Sequence, residues 1–563
     1  MSFDADACVI GSGAGGGPVA LRLAEAGLSV VVLEKGPHLV ERDFTKDEIA
    51  ECRRTKLTPS LRDEPHVIEV PEEDGPGFTS FPSHASPGWN LWHGCLVGGA
   101  TNVMSGFFHR MKPIDFRLRS ELGPVAGADV ADWPITYEDL EPWYALVERE
   151  VGVSGRVTPH PFADRRSTPD FPFAPLAEHP VAGWVDRAAE RLGQHAFPLP
   201  RAILSEPSGA RAGCRYAGFC GGYGCDTGAK GSSRAALLVR AVATGRCDVR
   251  PRAMVVRVES DARGRAVAAE YVDEHGALRR VTARVVVIAC GAIESARLLL
   301  ASTGPKHPRG LANRSGLVGK NLLFPVAGAG HGELPFDAFH GERARELRSR
   351  APFVNRAVQD GYVLTQRGRR VKGGTTHYLF AHPNPIDRAV SLAYGPGGPV
   401  WGKALAERLV RHFRGGRRLA FEVFAEWLPG PDTRVTLDPS VRDRFGRPVA
   451  RVRVRRHPDS DAACRELVER AVPVLRELGA RDARGDDDVG ASTNLAGGTC
   501  RFGRDPARSV LDPSCRAHDV ENLFVTDGSF LPSGGGAPFT WTIYANAFRV
   551  ADVIARQLGT PGG

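Results

Sequence analysis

The feature that most constrains the fold is a glycine-rich turn near the amino terminus. Residues 7–10 form a short apolar run, which indicates a buried strand. The turn follows at once as GSGAGGG at 11–17, and residues 18–26 have the composition of a helix. A second strand is predicted at 29–33, directly before the acidic Glu34. Strand, glycine turn, helix, strand and acid are the elements of a nucleotide-binding unit, in the required order.

Each glycine of this turn has a predicted role. Gly11 permits the tight turn, Gly13 lets the backbone approach a pyrophosphate, and Gly16 lets the helix pack closely on the strand. Unpaired N–H groups at the start of the helix favour the negative charge of a diphosphate. Glu34 is predicted to bind the ribose hydroxyls, and its neighbour Lys35 is a further candidate cofactor-binding residue. The motif alone does not separate FAD from NAD.

Composition limits the class of protein and its partners. A chain of 563 residues is long enough for two sizeable cores, and 42% hydrophobic with 25% charged residues is an ordinary globular balance. The formal net charge is +8, but no basic run is interleaved with aromatic residues. We therefore expect a small-molecule substrate and no nucleic-acid partner.

The lack of a recognisable targeting signal and the cysteine content predict a cytoplasmic protein. The first residues enter a strand pattern without a basic region or a cleavable apolar stretch. No run of about 18 apolar residues occurs, so we expect no membrane partner. Eleven cysteines, an odd number, favour reduced thiols over a disulfide framework.

Three further segments carry the motifs of one known family. Residues 89–110 contain a Gly-Gly pair followed by small residues and an asparagine, and residues 281–300 contain a buried strand, a glycine turn and a helix. Residues 494–549 read GT-x-R-x-G, SVLD and NL-x-V-x-DGS-x-P, followed by a glycine-rich turn and a last helix. Together these segments resemble the glucose–methanol–choline (GMC) oxidoreductase family over nearly the whole chain, and the resemblance is weakest at about 331–415.

The resemblance implies FAD as the cofactor. Some relatives attach FAD through a histidine four residues after the Gly-Gly pair, and Val103 at this position implies that FAD is held non-covalently here. The cofactor-binding positions that the resemblance implies beyond the first motif are Gly98, Gly99, Asn102, Val103, Met104, Val255, Gly291, Asp527, Gly528, Ala537 and Pro538.

The resemblance also implies the fold class, α/β plus α+β. A discontinuous Rossmann-like FAD-binding domain accompanies a substrate domain that is built on an antiparallel sheet. The alternating apolar positions of 421–454, with turns at 429–430 and 444–446, predict antiparallel strands that form the wall opposite the flavin. The predicted FAD-binding segments are 1–155, 206–330 and 488–563, with a connecting substrate-side segment at 156–205 and the substrate domain at 331–487.

Two polar residues that the family uses to oxidise alcohols are missing. The family's basic histidine stands three residues before the glycine of the Gly-Thr pair, where this chain has Leu495. Its partner, a histidine or asparagine before a proline, is replaced by Ala537. A one-residue slip brings in Asn494, but an amide is not a base at neutral pH.

The missing pair leaves three functions open. The resemblance favours oxidation of a hydroxyl-bearing small molecule, by hydride transfer to flavin N5 with an atypical base. The alternatives are a non-alcohol reaction, such as desaturation or photochemical decarboxylation, and a non-catalytic flavoprotein. The candidate catalytic residues are Asn494, Glu426, His377 and Tyr378.

One glycine-rich loop holds three cysteines. Cys214, Cys220 and Cys225 are close enough in sequence to suggest an iron–sulfur site. Their spacing is not a standard ligand pattern, so we expect a packed loop and no metal.

Overall fold

The computed structural model describes residues 3–52, 56–73, 75–381, 383–395 and 397–559. The strands are β1 Ala5–Ile10, β2 Val30–Leu33, β3 Val67–Pro71, β4 Phe78–Pro82, β5 Ala196–Pro198, β6 Cys247–Arg250, β7 Met254–Ser260, β8 Ala266–Val272, β9 Leu278–Ile288, β10 Val326–Pro335, β11 Arg356–Val358, β12 Val363–Gln366, β13 Arg369–Lys372, β14 Gly374–Phe380, β15 Tyr394–Gly395, β16 Gly398–Pro399, β17 Gly416–Ala425, β18 Arg434–Arg442, β19 Pro448–Arg453, β20 Arg481–Gly485, β21 Gly490–Ala491, β22 Arg516–Ala517 and β23 Val520–Val525. The helices are α1 Gly16–Glu25, α2 Leu118–Leu122, α3 Tyr137–Val147, α4 Val181–Arg191, α5 Val239–Ala243, α6 Ala292–Ala301, α7 Gly341–Leu347, α8 Pro385–Ala393, α9 Gly402–Arg414, α10 Pro458–Glu477 and α11 Thr540–Gln557.

The first sheet is the parallel sheet that the amino-terminal motif predicts. Its strand order is β22-β23-β9-β1-β2-β6, and β1 runs parallel to both β2 and β9. The strands β1 and β2 and the helix α1 match the predicted elements to within two residues at each end. Because β1 leads into α1 through residues 11–15, the glycine turn lies at the carboxyl edge of the parallel strands, where such sheets bind ligands.

The second sheet is antiparallel, with the order β20-β10-β17-β14-β11-β5 and with β21 on β10. In strand β17 the buried residues Leu419, Phe421 and Val423 share one face, whereas β14 is buried along nearly its whole length. On one face the long helix α10 packs, and the Tyr378 hydroxyl donates to the Ala471 carbonyl of this helix at 3.2 Å. The opposite face is therefore the one available to a site.

The hairpin β18–β19 lies elsewhere than expected. Its antiparallel pairing and its turn at 444–446 are confirmed, since the Gly446 N–H donates to the Asp443 carbonyl at 2.9 Å. The expectation that this hairpin joins the wall opposite the flavin is wrong. It forms a separate four-stranded sheet, β18-β19-β3-β4, in which β19 runs parallel to β3. Arg451 and Arg453 on β19 pair with Glu69 on β3, and these ion pairs hold the hairpin there.

The order of strands agrees with a chain that passes between two units several times. The first sheet takes strands from 5–33, 247–288 and 516–525, and the second takes most of its strands from 326–485. The second sheet also recruits β5, from the predicted connecting segment, and β21, from the predicted last FAD-binding segment. The domain boundaries themselves stay predictions. Within the described ranges, no helix combines the length and the apolar character needed to cross a membrane.

Candidate active site

A cavity of about 570 Å³ connects the glycine turn with the free face of the antiparallel sheet. Its wall combines segments that are far apart in the sequence. They are the turn at 11–15, the loop that carries the Gly-Gly pair, the turn between β9 and α6, the segment 494–496, the start of α11, and β17. Of the predicted cofactor-binding residues, those that line the cavity are Gly11, Gly13, Glu34, Lys35, Gly99, Val103, Met104, Val255, Gly291, Asp527, Gly528 and Pro538.

Close backbone contacts fix the glycine turn. Gly11 has φ of +95°, and a Cβ atom there would lie 2.3 Å from the Ala289 carbonyl oxygen. A Cβ atom on Gly16 would lie 2.0 Å from the Gly11 carbonyl oxygen. At Gly13 an added Cβ atom would meet only one neighbour, at 3.9 Å, so this residue leaves room beside its backbone. The turn is therefore closed towards the protein and open towards the cavity.

The turn also presents unused hydrogen-bond donors. The N–H groups of Gly13, Ala14 and Gly15 donate to no described residue, and they stand directly before α1. Beside them Glu34 accepts from the Ser12 N–H at 3.1 Å and from the Gly36 N–H at 2.9 Å. Burial raises the pKa of the Glu34 carboxyl, which these donors partly offset. Free N–H groups next to a buried carboxylate match the diphosphate and the ribose of a dinucleotide.

Lys35 closes the nucleotide end of the cavity. Its ammonium group lies 3.9 Å from the centroid of the Trp92 ring and pairs with Glu64. The ring of His66 packs against Trp92 at 4.7 Å and contacts Glu294 on α6. This network supports the cavity wall, and within it the positive charge of Lys35 is paired with Glu64.

The loop with the Gly-Gly pair is braced by its own asparagine. Gly98 and Gly99 both have positive φ values, 92° and 57°. The buried Asn102 amide donates to the carbonyls of Val97 at 3.0 Å and Gly99 at 2.9 Å. Asn102 and Gly98 therefore shape the loop from behind and are not among the residues that line the cavity.

Asp527 joins three segments at the centre of the site. Its carboxylate accepts from the Gly291 N–H at 3.0 Å, from the Ser295 hydroxyl at 2.5 Å and from the Ser529 N–H at 2.8 Å. A Cβ atom on Gly15 would lie 2.7 Å from the Asp527 nitrogen, so the aspartate lies against the glycine turn. Burial raises the pKa of the Asp527 carboxyl against the effect of these donors.

The carboxy-terminal wall of the cavity is mostly apolar. Leu495 and Pro538 line it, whereas Ala537 is buried behind the surface. The neighbouring Asn494 also lines the cavity, and its side-chain oxygen accepts from the Ser492 hydroxyl at 2.7 Å. Asn494 is an exposed residue, and its amide group can chemically donate a hydrogen bond.

Glu426 supports a turn and does not line the cavity. The buried carboxylate accepts from the Gly534 N–H at 2.8 Å. The ammonium group of Lys372 donates to the Gly535 carbonyl at 3.0 Å and lies 3.4 Å from the Asp115 carboxylate. Burial raises the pKa of Glu426 to about 7. The geometry gives Glu426 the role of holding the glycine turn at 534–536.

His377 and Tyr378 are neighbours on β14, so their side chains point to opposite faces of the sheet. Tyr378 points to α10 and away from the cavity. His377 points to the cavity side but lies behind its surface, where its ring nitrogen is 2.8 Å from that of His109. Burial lowers the pKa of His109 to about 4 and holds the pKa of His377 well below its usual range. Both rings are neutral at physiological pH.

The sequence analysis missed Glu422. This residue lies directly opposite His377 in the antiparallel register, and its side chain lines the cavity beside Phe424. Burial raises the pKa of the Glu422 carboxyl, and the charge of Arg201 acts in the opposite direction. The period-two alternation of β17, with Leu419, Phe421 and Val423 buried on the other face, is the signal that could have identified it.

The three cysteines of the glycine-rich loop are not among the described residues that line this cavity. Cys214, Cys220 and Cys225 are free thiols that pack against a small apolar cluster. In the part of the chain that the structure describes, no group of three or more His, Cys, Asp or Glu side chains is arranged to hold a metal ion.

Comparison with known proteins adds sequence and fold relationships. Two family models described as GMC oxidoreductase match residues 177–326 and 429–547. The 6'''-hydroxyparomomycin C oxidase of Streptomyces lividus is 33% identical, and the match covers 98% of this chain and 92% of that protein. The 2-methyl-1,2-propanediol dehydrogenase of Mycolicibacterium austroafricanum is 32% identical, over 98% and 95% of the two chains. A crystal structure of formate oxidase superposes with a TM-score of 0.65 at 15% identity, and 99% of each chain is covered. The predicted fold class is confirmed.

Proposed function

Because the chain belongs to the GMC oxidoreductase family and is an FAD-dependent oxidoreductase, we propose that it oxidises a hydroxyl-bearing small molecule and that Glu422 receives the hydroxyl proton. One observation carries this proposal. A carboxylate from the antiparallel sheet lines the cavity, while Leu495 and Ala537 occupy the positions of the family's usual polar pair. A cytoplasmic location goes with the proposal, since the ten cysteines whose side chains the structure describes are free thiols.

The cavity fits FAD at its nucleotide end. The N–H groups at 13–15 would hold the diphosphate, and Glu34 would hold the ribose hydroxyls. When bound, FAD supplies a hydride acceptor at its N5 atom. Val103 lines the cavity with a side chain that forms no bond to a flavin, so we propose that FAD is held non-covalently.

Glu422 has the chemistry of a general base. It lies beside Phe424, and Phe107 also lines this part of the cavity, so its carboxylate is poorly solvated and binds a proton more strongly than a surface carboxylate. The positive charge of Arg201 limits this effect and favours the ionised form that can accept a proton. Asn494 would donate its amide hydrogen to the substrate oxygen and hold the hydroxyl between the two side chains.

Anaerobic mixing of the purified holoprotein with a panel of diols, sugars and sugar acids tests the proposal. Reduction is followed as bleaching of the visible band of oxidised flavin. Glu422→Gln keeps the size and removes the base, so it should slow bleaching by about a hundredfold or more with unchanged FAD content. The matched control is Glu407→Gln on the exposed face of α9, which should react at the wild-type rate.

The same assay separates the alternatives. Bleaching of Glu422→Gln at the wild-type rate would exclude Glu422 as the proton acceptor. Bleaching that occurs only under illumination, with a carboxylic acid as substrate, would favour photochemical decarboxylation. If no compound bleached the flavin under any condition, the protein would be a non-catalytic flavoprotein. These alternatives are favoured by the apolar residues Leu495 and Ala537 at the usual catalytic positions. Neither alternative requires a side chain that removes a proton from a hydroxyl oxygen.

A further inference from the structure

A second cavity, of about 450 Å³, adjoins the first, because Phe107 lines both. Basic side chains dominate its wall, and no Asp or Glu occurs among its lining residues within the described part of the chain. Aromatic residues, among them Phe353 and Phe380, complete it. The basic residues that line this arginine pocket are Arg201, Arg350, Arg388, Arg417, Arg418 and His412.

Among the described residues, the buried cation Arg201 forms no ion pair with a carboxylate, and the acid whose charge acts on it is Glu422 in the first cavity. Arg201 is 5% exposed, and its guanidinium group is sandwiched between the rings of Phe107 at 4.3 Å and Phe353 at 4.7 Å. One of its nitrogens donates to the Asn355 side-chain oxygen at 2.8 Å, whereas its buried Nε has no described partner. Burial lowers the pKa of Arg201. Because a buried charge is costly unless it is paired, Arg201 is poised to gain from an incoming anion.

Two more cations, Arg417 and Arg418, lie near the start of strand β17. Arg417 donates to the backbone carbonyls of Leu347 at 3.0 Å and Ser349 at 2.5 Å, which anchor its guanidinium group without neutralising it. Arg418 has no carboxylate within 4.0 Å among the described residues, and the acids that act on it, Glu333 and Asp486, lie outside the pocket wall. Arg201, Arg417 and Arg418 therefore bring positive charge to the pocket, and none of its described lining residues is acidic, although Glu333 lies opposite Arg418 in the strand register.

We propose that the arginine pocket binds the carboxylate or phosphate group of an anionic substrate whose hydroxyl group reaches Glu422. This inference rests on the proposed function, and it adds the substrate class: hydroxy acids or phosphorylated alcohols. Guanidinium groups present several N–H donors in a plane that matches the oxygens of both anions. Phe107 lines both cavities, so the proposal requires that one molecule extends past the Phe107 ring from the arginine pocket to Glu422.

Matched pairs of substrates test the charge requirement. Gluconate and glucitol differ in a carboxylate against a hydroxymethyl group, and glucose 6-phosphate and glucose differ in the phosphate. The anionic member of at least one pair should reduce the flavin with a KM lower by tenfold or more, and its KM should rise with ionic strength. The pair that shows the difference identifies which anion the pocket prefers. Equal KM values within both pairs would overturn the inference and leave the oxidoreductase assignment intact.

Variants locate the effect in the pocket. Arg350→Met and Arg418→Met should each raise the KM of the anionic substrate by about tenfold and leave that of its neutral partner unchanged. Both residues are at least partly exposed, so their replacement spares the core. The matched control is Arg345→Met on α7, which lies outside the pocket wall. Equal changes for both members of a pair, or none for either, would contradict the pocket's role.

Binding without turnover separates the two proposals. Titration calorimetry of the holoprotein with inorganic phosphate should give a heat of binding that Arg418→Met weakens about tenfold and the control variant does not. Such binding supports the arginine pocket even when no alcohol reduces the flavin, a result that would remove only the proposed function. If alcohols reduce the flavin but phosphate binds equally to wild type and Arg418→Met, the inference is wrong and the proposed function stands.

Discussion

Replacing Glu426 by glutamine should change how stability depends on pH. The glutamate is buried beside Lys372 and Asp115, both also buried, and it accepts a hydrogen bond from Gly534. Glutamine keeps the shape and an oxygen that can accept this bond, but it does not titrate. The substitution therefore removes one protonation equilibrium and little else.

The sign and size follow from the pKa of Glu426. Burial raises it from 4.5 to about 7 in the folded protein, so the folded state holds a proton in a range where the unfolded chain has released it. This contribution to stability is complete below pH 4.5 and is lost as the pH rises through about 7. The difference between the two pKa values corresponds to about 3 kcal/mol in the free energy of unfolding between pH 4.5 and about 7. The wild type should lose this much relative to Glu426→Gln between the two pH values.

Urea unfolding of both holoproteins across this pH range measures the effect. The wild-type midpoint should fall relative to that of Glu426→Gln as the pH rises, and the difference should become constant in alkaline solution. The exposed Glu407→Gln serves as the control and should run parallel to wild type. Parallel curves for Glu426→Gln and wild type would refute an elevated pKa. Loss of flavin reduction in Glu426→Gln with intact FAD binding would refute the purely supporting role of this residue.

Three further predictions concern the cofactor and the buried charges. Gly16→Ala places a methyl group 2.0 Å from the Gly11 carbonyl, so the purified variant should lack the flavin spectrum or be unfolded by circular dichroism. Acid precipitation of the wild type should release all flavin into the supernatant, because Val103 forms no bond to it; colour that stays in the pellet would contradict this. Lys372→Met leaves two carboxylates without their cation and should lower the free energy of unfolding at neutral pH by about 3–5 kcal/mol, measured by urea titration.

Local patterns predicted the parts of the fold that depend on neighbouring residues. The strand, turn and helix around Gly11 were predictable because the turn needs glycine and the flanking apolar runs have clear lengths. The partner of β19 was not predictable, since its pairing with β3 joins residues nearly 400 positions apart through ion pairs to Glu69. Long-range pairing of this kind leaves no trace in local periodicity.

Long-range contacts that local patterns do not reveal also explain why Glu426, just after strand β17, was named and Glu422, on the strand, was not. Glu426 was named because it lies in a stretch expected to face the flavin, and Glu422, four residues earlier, was overlooked. Both lie on alternate positions of the same segment, so periodicity alone places them on one face. Strand β17 ends at Ala425, and past this point the chain turns Glu426 under the glycine turn at 534–536, a contact across more than 100 residues.

The polarity of the two cavity walls has a consequence for substrate orientation. The carboxy-terminal wall, with Leu495 and Pro538, offers no proton acceptor, whereas the sheet wall offers Glu422 and, next to it, the positive charge of Arg201. A base works only within hydrogen-bond reach of the proton that it removes. The reacting hydroxyl must therefore point to the sheet, on the same side as the arginine pocket. A histidine at position 495 would stand beside Asn494, which is proposed to hold the oxygen of this hydroxyl while its proton points to Glu422, so this substitution alone should not replace Glu422.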